Sequence, residues 1–573
     1  MPRIRDQSAK TSDPSPAQSA KDTQGIADDP QPFKLTAVDT RHVAASPWAA
    51  LRHPIFTVVW IATIVSNLGG WVSAAASGWL MTVLNPDPLV VSLVQVASNL
   101  PLFLLALPAG VLTDIIDRRK FLIFSELAVM ASSTTLAILV SSGLITPGSL
   151  LLMTALISAA VALGAPPWQA VVTELVPRSD LASAVSLNGL GINISRAVGP
   201  AIGGLLVNAF GYGPPYWIDA FSNAGVIGAL FWWKNPKPQR SALPPEAFGS
   251  AMMVGLRHAR YNPHLSATLM RTAGFFVFAS AYWALLPIVT RTQVSGSGPA
   301  LYGILLGGIG MGAIIGTFLL PRLKARWGSN LLVAWCTAGT AVATLLFAVS
   351  RDAGTSIAAS VLAGLCWIGA VSMLNLSAQV ALPDWVRGRG LAVYVTVMFG
   401  ALSLGGLFWG KLAAVTGVSS SLLVAAAGAT LAIPATWKWK LQTGEGVDFT
   451  PALHWPTPIT THNVAGDRGP VLVTIDYRIN PKDRTQFLDA LLRLSRERRR
   501  DGAYSWKVFE DPTVDGRIVE VFLTDSWLEH LRHHARITKS DQLQEEAVRW
   551  CLAGQPPVTT HLIQIHRRKP RSE

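Results

Sequence analysis

Apolar residues in this chain do not alternate with polar ones; they run on. Twelve long apolar runs stand near 55–83, 88–112, 119–142, 148–170, 183–208, 214–233, 265–290, 300–320, 329–350, 354–380, 388–413 and 419–438. Crossing a hydrocarbon layer takes about 20 residues, and each run is long enough. No water reaches the backbone there, so each run is expected to be helical. Membrane-barrel strands would alternate over about ten residues, a pattern not found here. The pattern predicts an all-α polytopic membrane protein with twelve transmembrane helices.

The polar stretches between the runs fall into two sets. One set is basic: Arg118, Arg119 and Lys120; Arg178; Lys234, Lys237, Arg240, Arg257 and Arg260; Arg322, Lys324 and Arg326; Arg387 and Arg389. The other set is nearly bare of cations: 85–87, 143–146, 211–214, 291–298, 351–352 and 417–420. The two sets alternate along the chain, which places both termini in the cytoplasm and the protein in the cell membrane. Residues 1–50 are rich in Pro, Ser, Asp, Gln and Lys and are expected to be a disordered tail. The first apolar run is too long for a signal-peptide core, so this tail is expected on the cytoplasmic side.

One stretch organises the rest. Ala165 to Gly204 reads as the end of one apolar helix, a charged loop with Glu174, Arg178 and Asp180, and then a second helix. That second helix carries Asn188, Asn193 and Arg196, followed by Gly199-Pro200-Ala201-Ile202-Gly203-Gly204. Arg196 lies about 20 Å into the helix at about 1.5 Å per residue. A guanidinium at that depth must face protein or water, and is a functional candidate. The pattern returns 210 positions later: Gln169 and Gln379, Glu174 and Asp384, Val176 and Val386, Leu181-Ala182 and Leu391-Ala392, Val185 and Val395. Two halves built alike are what a transporter with parallel repeats shows.

We divide the chain into the tail 1–50, a six-helix half 51–233, a basic connector 234–264, a second six-helix half 265–440, a linker 441–470 and a soluble domain 471–568. Within the connector, 245–261 reads as an amphipathic surface helix. The soluble domain reads as strand 471–479, helix from Pro481 to Arg500, strands 503–510 and 517–524 joined at Asp515-Gly516, a helical stretch 526–551, and strand 558–565. That β-α-β-β-α-β order is the α+β ferredoxin-like pattern.

Composition agrees with the pattern: 573 residues, 50% hydrophobic and 14% charged. The net charge of +13 comes from the cytoplasmic loops and needs no nucleic-acid partner. Cys336, Cys366 and Cys551 have neither metal spacing nor a disulfide framework.

Candidate chemistry sits in three places. Asn67, Gln95, Asn99, Asn193, Asn375 and Gln379 join Arg196 as candidates to line a central cavity. Glu126 and Asp219 are the carboxylates available for proton coupling. Gly110, Asp114, Arg118 and Arg119 in the loop after the second run, with Gly199, Pro200, Gly203 and Gly204 late in the fifth, are candidates for gating.

That loop resembles the signature Gly-x-x-x-Asp-Arg-x-Gly-Arg-Arg of the major facilitator superfamily. Ile115 stands where the family usually has Arg, and Asp117 where it has Gly. Gly199-Pro200-x-x-Gly203-Gly204 resembles the fifth-helix motif of the superfamily's drug–proton antiporters. The segments QAVVTELVPRSDLASAVSLN and Asp384-Trp385-Val386-Arg387-Gly388-Arg389-Gly390-Leu391-Ala392 resemble the branch that includes the enterobactin exporter, the transmembrane secretion effectors. The resemblance covers about 50–440. It implies the major facilitator fold, two six-helix bundles around a cavity, and proton-coupled export of a siderophore or drug-like molecule. In that superfamily the helices of Glu126 and Asp219 are peripheral.

The soluble domain is similar to small dimeric domains of the antibiotic-biosynthesis monooxygenase type, which implies a homodimer through it. Trp506, Phe522, Trp527, His530, His533 and His534 give it an aromatic, histidine-rich face; such a cluster can bind metal or act as a base, and we read it instead as a solvated helix face. The expected partners are lipid, a small-molecule substrate and protons. No cofactor, metal or catalytic residue is assigned. The rival readings are a membrane-anchored oxidoreductase and a regulatory module, each acting through this domain.

Overall fold

The computed structural model describes residues 46, 48–233, 248–294, 298–383, 385–443 and 466–565. The expected disordered tail, the first half of the connector, most of the 441–470 linker and Asp384 lie outside them.

Helices fill the first half: α1 (Pro54–Leu84), α2 (Pro88–Ile115), α3 (Arg118–Ser141), α4 (Pro147–Glu174), α5 (Leu181–Phe210) and α6 (Gly213–Trp232). Their starts are written in the sequence. Asp87 accepts a hydrogen bond from Leu89 N, with Pro88 at the first helical position. Thr146 and Ser149 form a capping box for α4. The connector contains α7 (Phe248–Tyr261), inside the stretch expected to be an amphipathic helix.

The second half holds α8 (Pro263–Thr292), α9 (Pro299–Val349), α10 (Ala353–Val380), α11 (Arg387–Thr416) and α12 (Val418–Thr436). Here the structure corrects the loop expected between two runs. The stretch called α9 is two helices that meet without a loop at Gly328, where φ is 70°. Residues 322–327 (Arg-Leu-Lys-Ala-Arg-Trp) are compatible with helix, so only the left-handed glycine redirects the chain.

Among the described residues, ten helices are long and apolar enough to cross a membrane by length and composition: α1–α5 and α8–α12. Helix α6 is shorter and diluted by Gly213-Pro214-Pro215, Asp219, Ser222 and Asn223. Phe221, Phe318, Leu404 and Leu431 face outward and exposed, as a lipid-facing surface requires.

Each half packs on itself, α1 against α5 and α6, α3 against α4 and α6, α8 against α11 and α12, and α9 against α10 and α12. The halves are joined chiefly by α5 with α9 and α2 with α11, and more lightly by α2 with α8 and α1 with α8 and α9.

The C-terminal domain contains β1 (Val471–Arg478), α13 (Arg484–Asp501), β2 (Ser505–Glu510), β3 (Arg517–Thr524), α14 (Trp527–Arg536), α15 (Lys539–Arg549) and β4 (Val558–Ile563). The strand order is β2-β3-β1-β4, antiparallel throughout, with Val471 opposite both Thr524 and Ile563. Val471, Val473, Ile475 and Tyr477 alternate inward onto Phe487, Leu491 and Leu494 of α13. The expected single helical stretch divides at Ile537, because Thr538 and Asp541 cap a new helix.

This domain is docked on the helical part. Arg257 of α7 donates to Gly502 O at 2.7 Å and lies 3.9 Å from Asp525. Arg499 stands over the Tyr261 ring, and Arg536 over the Trp385 ring between α10 and α11.

Candidate functional site

Helix α5 meets the second half through α9, and glycines bring the two backbones close. Its glycines share the work by direction. Gly199 and Gly203, one turn apart, face α1: an added Cβ would stand 2.5 Å from Trp71 Cβ and 2.6 Å from Val72 O. Gly204 faces the other half instead. A Cβ there would meet Pro299 O and stand 2.8 Å from Gly303 Cα, and one on Gly303 would stand 2.6 Å from Pro200 O. Only glycine allows backbones this near. The seam continues to Gly307, whose Cβ would lie 3.3 Å from Ala201 Cβ. These contacts lie in the part of α5 and of α9 remote from the basic loops.

Arg196 lies one turn before Pro200. Its guanidinium carbon is 5.5 Å from the centre of the Trp71 ring on α1, an attractive cation–aromatic geometry. Its Nε is buried with no hydrogen-bond partner among the described residues. Asn193 is half-buried one turn earlier on α5, and Asn67 is half-buried one turn before Trp71 on α1. Helix α1 is tied to α5 along this face by Trp60 Nε1 to Leu187 O (3.0 Å) and Ser195 Oγ to Ile64 O (3.2 Å).

The other expected cavity residues sit on other elements. Asn99 of α2 is buried, with its Nδ2 unpartnered among the described residues. Gln95, one turn earlier, approaches Gly406 of α11 at the second seam. Asn375 is half-buried in α10, and Gln379 is exposed in its last turn.

The signature loop holds three helices together. Arg118 donates to Glu174 at the end of α4, at 2.5 Å. Arg119 donates to Leu230 O (2.8 Å) and Phe231 O (2.9 Å), the last carbonyls of α6. Cations at a helix C-terminus are favourable. Asp117, where the superfamily has Gly, accepts from Lys120 N at 3.0 Å and caps α3. Gly110 is half-buried in α2 with open space where a Cβ would stand. Asp114 belongs to α2, but its side chain, like that of Arg178, lies outside the described residues. At the next loop, His53 pairs with Asp180 at 2.8 Å.

Asp219 lies between α1, α3 and α6, within the first half. Ser133 donates to it at 2.7 Å. Asn223 reaches its backbone carbonyl and accepts from Ser66 of α1 at 2.9 Å. Glu126 is half-buried in α3.

Several residues carried no motif and were missed. Arg271 in α8 is buried and donates to Thr436 O and to both oxygens of Asn330, tying α12 and the second part of α9 to α8. His258 of α7 is buried edge-on to Trp385, with ring centres 5.6 Å apart. Burial first, then Arg500, holds its imidazole down at about 3. Asn262 donates to Ala381 O at 2.8 Å, fastening α7 to the α10–α11 loop.

The histidine face is corrected by the structure. His530 and His533 are 0% and 1% exposed, so they are buried rather than solvated. His561 of β4 joins His530 and His534, a residue that sequence spacing could not connect to them. Burial, then His534 and His561, holds His530 down at about 3. His533 lies tilted against Phe522, with ring centres 5.7 Å apart, and burial holds it well below the usual imidazole range.

Residues 45–569 match the family described as transmembrane secretion effector. The chain is 25% identical over 383 residues to the multidrug efflux pump Tap of Mycolicibacterium fortuitum, covering 65% of this chain and 92% of that one. It is 24% identical over 259 residues to the staphyloferrin A transporter of Staphylococcus aureus, covering 45% and 64%. A solved POT family transporter in complex with 5-aminolevulinic acid superposes with a TM-score of 0.56 at 11% identity, over 66% of this chain and 94% of that one. That likeness concerns the fold. The helical order, the two halves joined at α5–α9 and α2–α11, and the family match agree, and the chain belongs to the transmembrane secretion effectors, multi-pass transporters of the major facilitator type.

Proposed function

We propose that this transporter is an exporter. It moves a small molecule of siderophore or drug-like character outward across the cytoplasmic membrane by alternating access, in exchange for protons. The observation that carries this reading is the glycine seam between α5 and α9, one turn from Arg196. Two halves that meet through bare backbone on one side can close there and part again. The names of the relatives, a multidrug efflux pump and a siderophore transporter, support the direction and substrate class. The resemblance to the enterobactin-exporter branch points the same way.

In this reading there are twelve spans, with α9 counted as two at Gly328 and α6 as the sixth, in halves 51–233 and 265–440. Both termini are cytoplasmic, as the basic loops require. Arg196 receives an anionic group of the substrate, with Asn193 and Asn67 beside it, and Asn99, Gln95, Asn375 and Gln379 line the path. Arg118, Arg119, Gly110 and Asp114 hold the cytoplasmic gate. Asp219 and Glu126 are the proton carriers to test first.

The C-terminal domain is a regulatory module in this proposal, because it rests on both α7 and the α10–α11 loop. Exposed Trp550, Val558, Leu562 and Ile565 offer it a face for a homodimer.

Inside-out vesicles with an acidic lumen test the function. A panel of carboxylate siderophores and cationic drug-like compounds is added outside. At least one compound should accumulate, and a protonophore should abolish the accumulation. No accumulation of any compound contradicts export; accumulation indifferent to the pH gradient contradicts the coupling.

A further inference from the structure

We infer that His530, His534 and His561 form a binding site for one divalent transition cation of the zinc class, a site that joins α14 to β4. His530 and His534 stand one turn apart on one face of α14. His561 sits on β4, opposite Val473 of β1. The Nε2 atoms of His530 and His534 are 3.1 Å apart. One nitrogen from each of the three rings lies within 4.8 Å of the others. Nitrogens held by one tetrahedral ion at about 2.0–2.1 Å stand about 3.3 Å from each other. Small side-chain rotations therefore bring all three onto one ion.

The surroundings suit a cation site better than simple packing. Trp527 walls the cluster, 5.5 Å from the His530 ring and 6.2 Å from that of His561. His530 is wholly buried, and its Nδ1 has no partner among the described residues. A shared proton would satisfy one pair of facing nitrogens, whereas a cation satisfies all three rings. The donor set is entirely imidazole. It selects zinc, cobalt, nickel or copper and is a poor match for calcium or magnesium, which prefer oxygen. Three protein ligands leave the fourth position of a tetrahedral ion to water or a small ligand.

Helix α14 also carries Arg536, the residue that stands over Trp385. An ion that pins α14 to the sheet therefore steadies the helix that touches the α10–α11 loop.

The test uses the full chain without a histidine tag, in lipid nanodiscs, stripped with chelator and then titrated with Zn²⁺ or Co²⁺. One equivalent should bind, and bound Co²⁺ should show the visible absorption of a four-coordinate nitrogen site. His530→Gln or His561→Gln should weaken binding by more than the roughly 100-fold that loss of an outer-shell partner costs. His264→Gln should leave binding unchanged. His534→Cys gives a positive readout that does not depend on loss of binding: it should keep Co²⁺ and add thiolate charge-transfer absorption. Equal binding by wild type and the triple variant H530Q/H534Q/H561Q overturns the inference. So does a His534→Cys chain whose Co²⁺ spectrum matches wild type.

Discussion

The guanidinium carbon of Arg536 lies 4.2 Å from the centre of the Trp385 ring. It joins the C-terminal domain to the loop that opens α11, the second-half counterpart of the Glu174 loop. Arg536 is itself held by Asp501 O and by the Glu529 carboxylate, so the contact reports the position of α14. Trp385→Ala should cost the docked arrangement about 1 kcal/mol. Hydrogen exchange in residues 381–390 and in α7 should then speed up in the full chain. Unchanged exchange at both sites contradicts docking through this pair.

Gly204 should tolerate no side chain. Gly204→Val drives Cβ into Pro299 O and Gly303, and overpacking of this kind costs about 1–3 kcal/mol. The closed seam should lose about ten- to a hundredfold in population, and vesicle transport should fall with it. Gly189→Val, on the same helix with open space around it, should transport like wild type. Equal rates for the two variants would show that the seam does not matter.

Arg196→Ala should lower transport of anionic compounds about tenfold or more, the loss expected for one charge-assisted contact. Arg196→Lys keeps the charge but loses the planar stack on Trp71, and should recover only part of the rate. Unchanged efflux of every transported compound removes Arg196 from the mechanism.

Much of this fold was legible beforehand, and the reason is physical. Lipid demands long apolar helices, and those runs stand as helices in the structure. The β1–α13–β2–β3 order followed from the alternation at 471–479 and the Asp515-Gly516 turn. What was not legible depends on distant approach. His561 meets His530 only because the sheet places β4 beside β1 and under α14. Arg271 sits in an apolar run, and its partners Asn330 and Thr436 come from α9 and α12. The 322–327 segment read as a loop because its charges resemble one, yet its residues also suit a helix. The glycines of α5 were visible as small residues, but which of them faced α1 and which faced α9 required the structure.

Above about pH 7 the C-terminal domain should lose stability as pH rises. Glu497 is buried, and burial first, then Asp541, pushes its carboxyl up from 4.5 to about 9. The unfolded chain gives up this proton near 4.5 and the folded chain near 9. The contribution is therefore fully present below about 4.5 and lost as pH climbs toward 9. Thermal unfolding of the full chain, followed by tryptophan fluorescence between about pH 7 and 9, above the range in which the buried neutral His530 and His533 add stability as pH rises, should show a falling midpoint. Glu497→Gln should flatten that fall and raise the midpoint near pH 8. Parallel curves contradict a neutral buried Glu497.

A disulfide across the two halves probes alternating access most directly. An ideal Cβ at Gly307 lies 3.3 Å from Ala201 Cβ, near the roughly 3.5–4.5 Å that a disulfide spans. Ala201→Cys/Gly307→Cys in proteoliposomes should cross-link on oxidation, stop transport, and regain it on reduction. Full transport by a completely cross-linked chain would mean that the α5–α9 seam never needs to open.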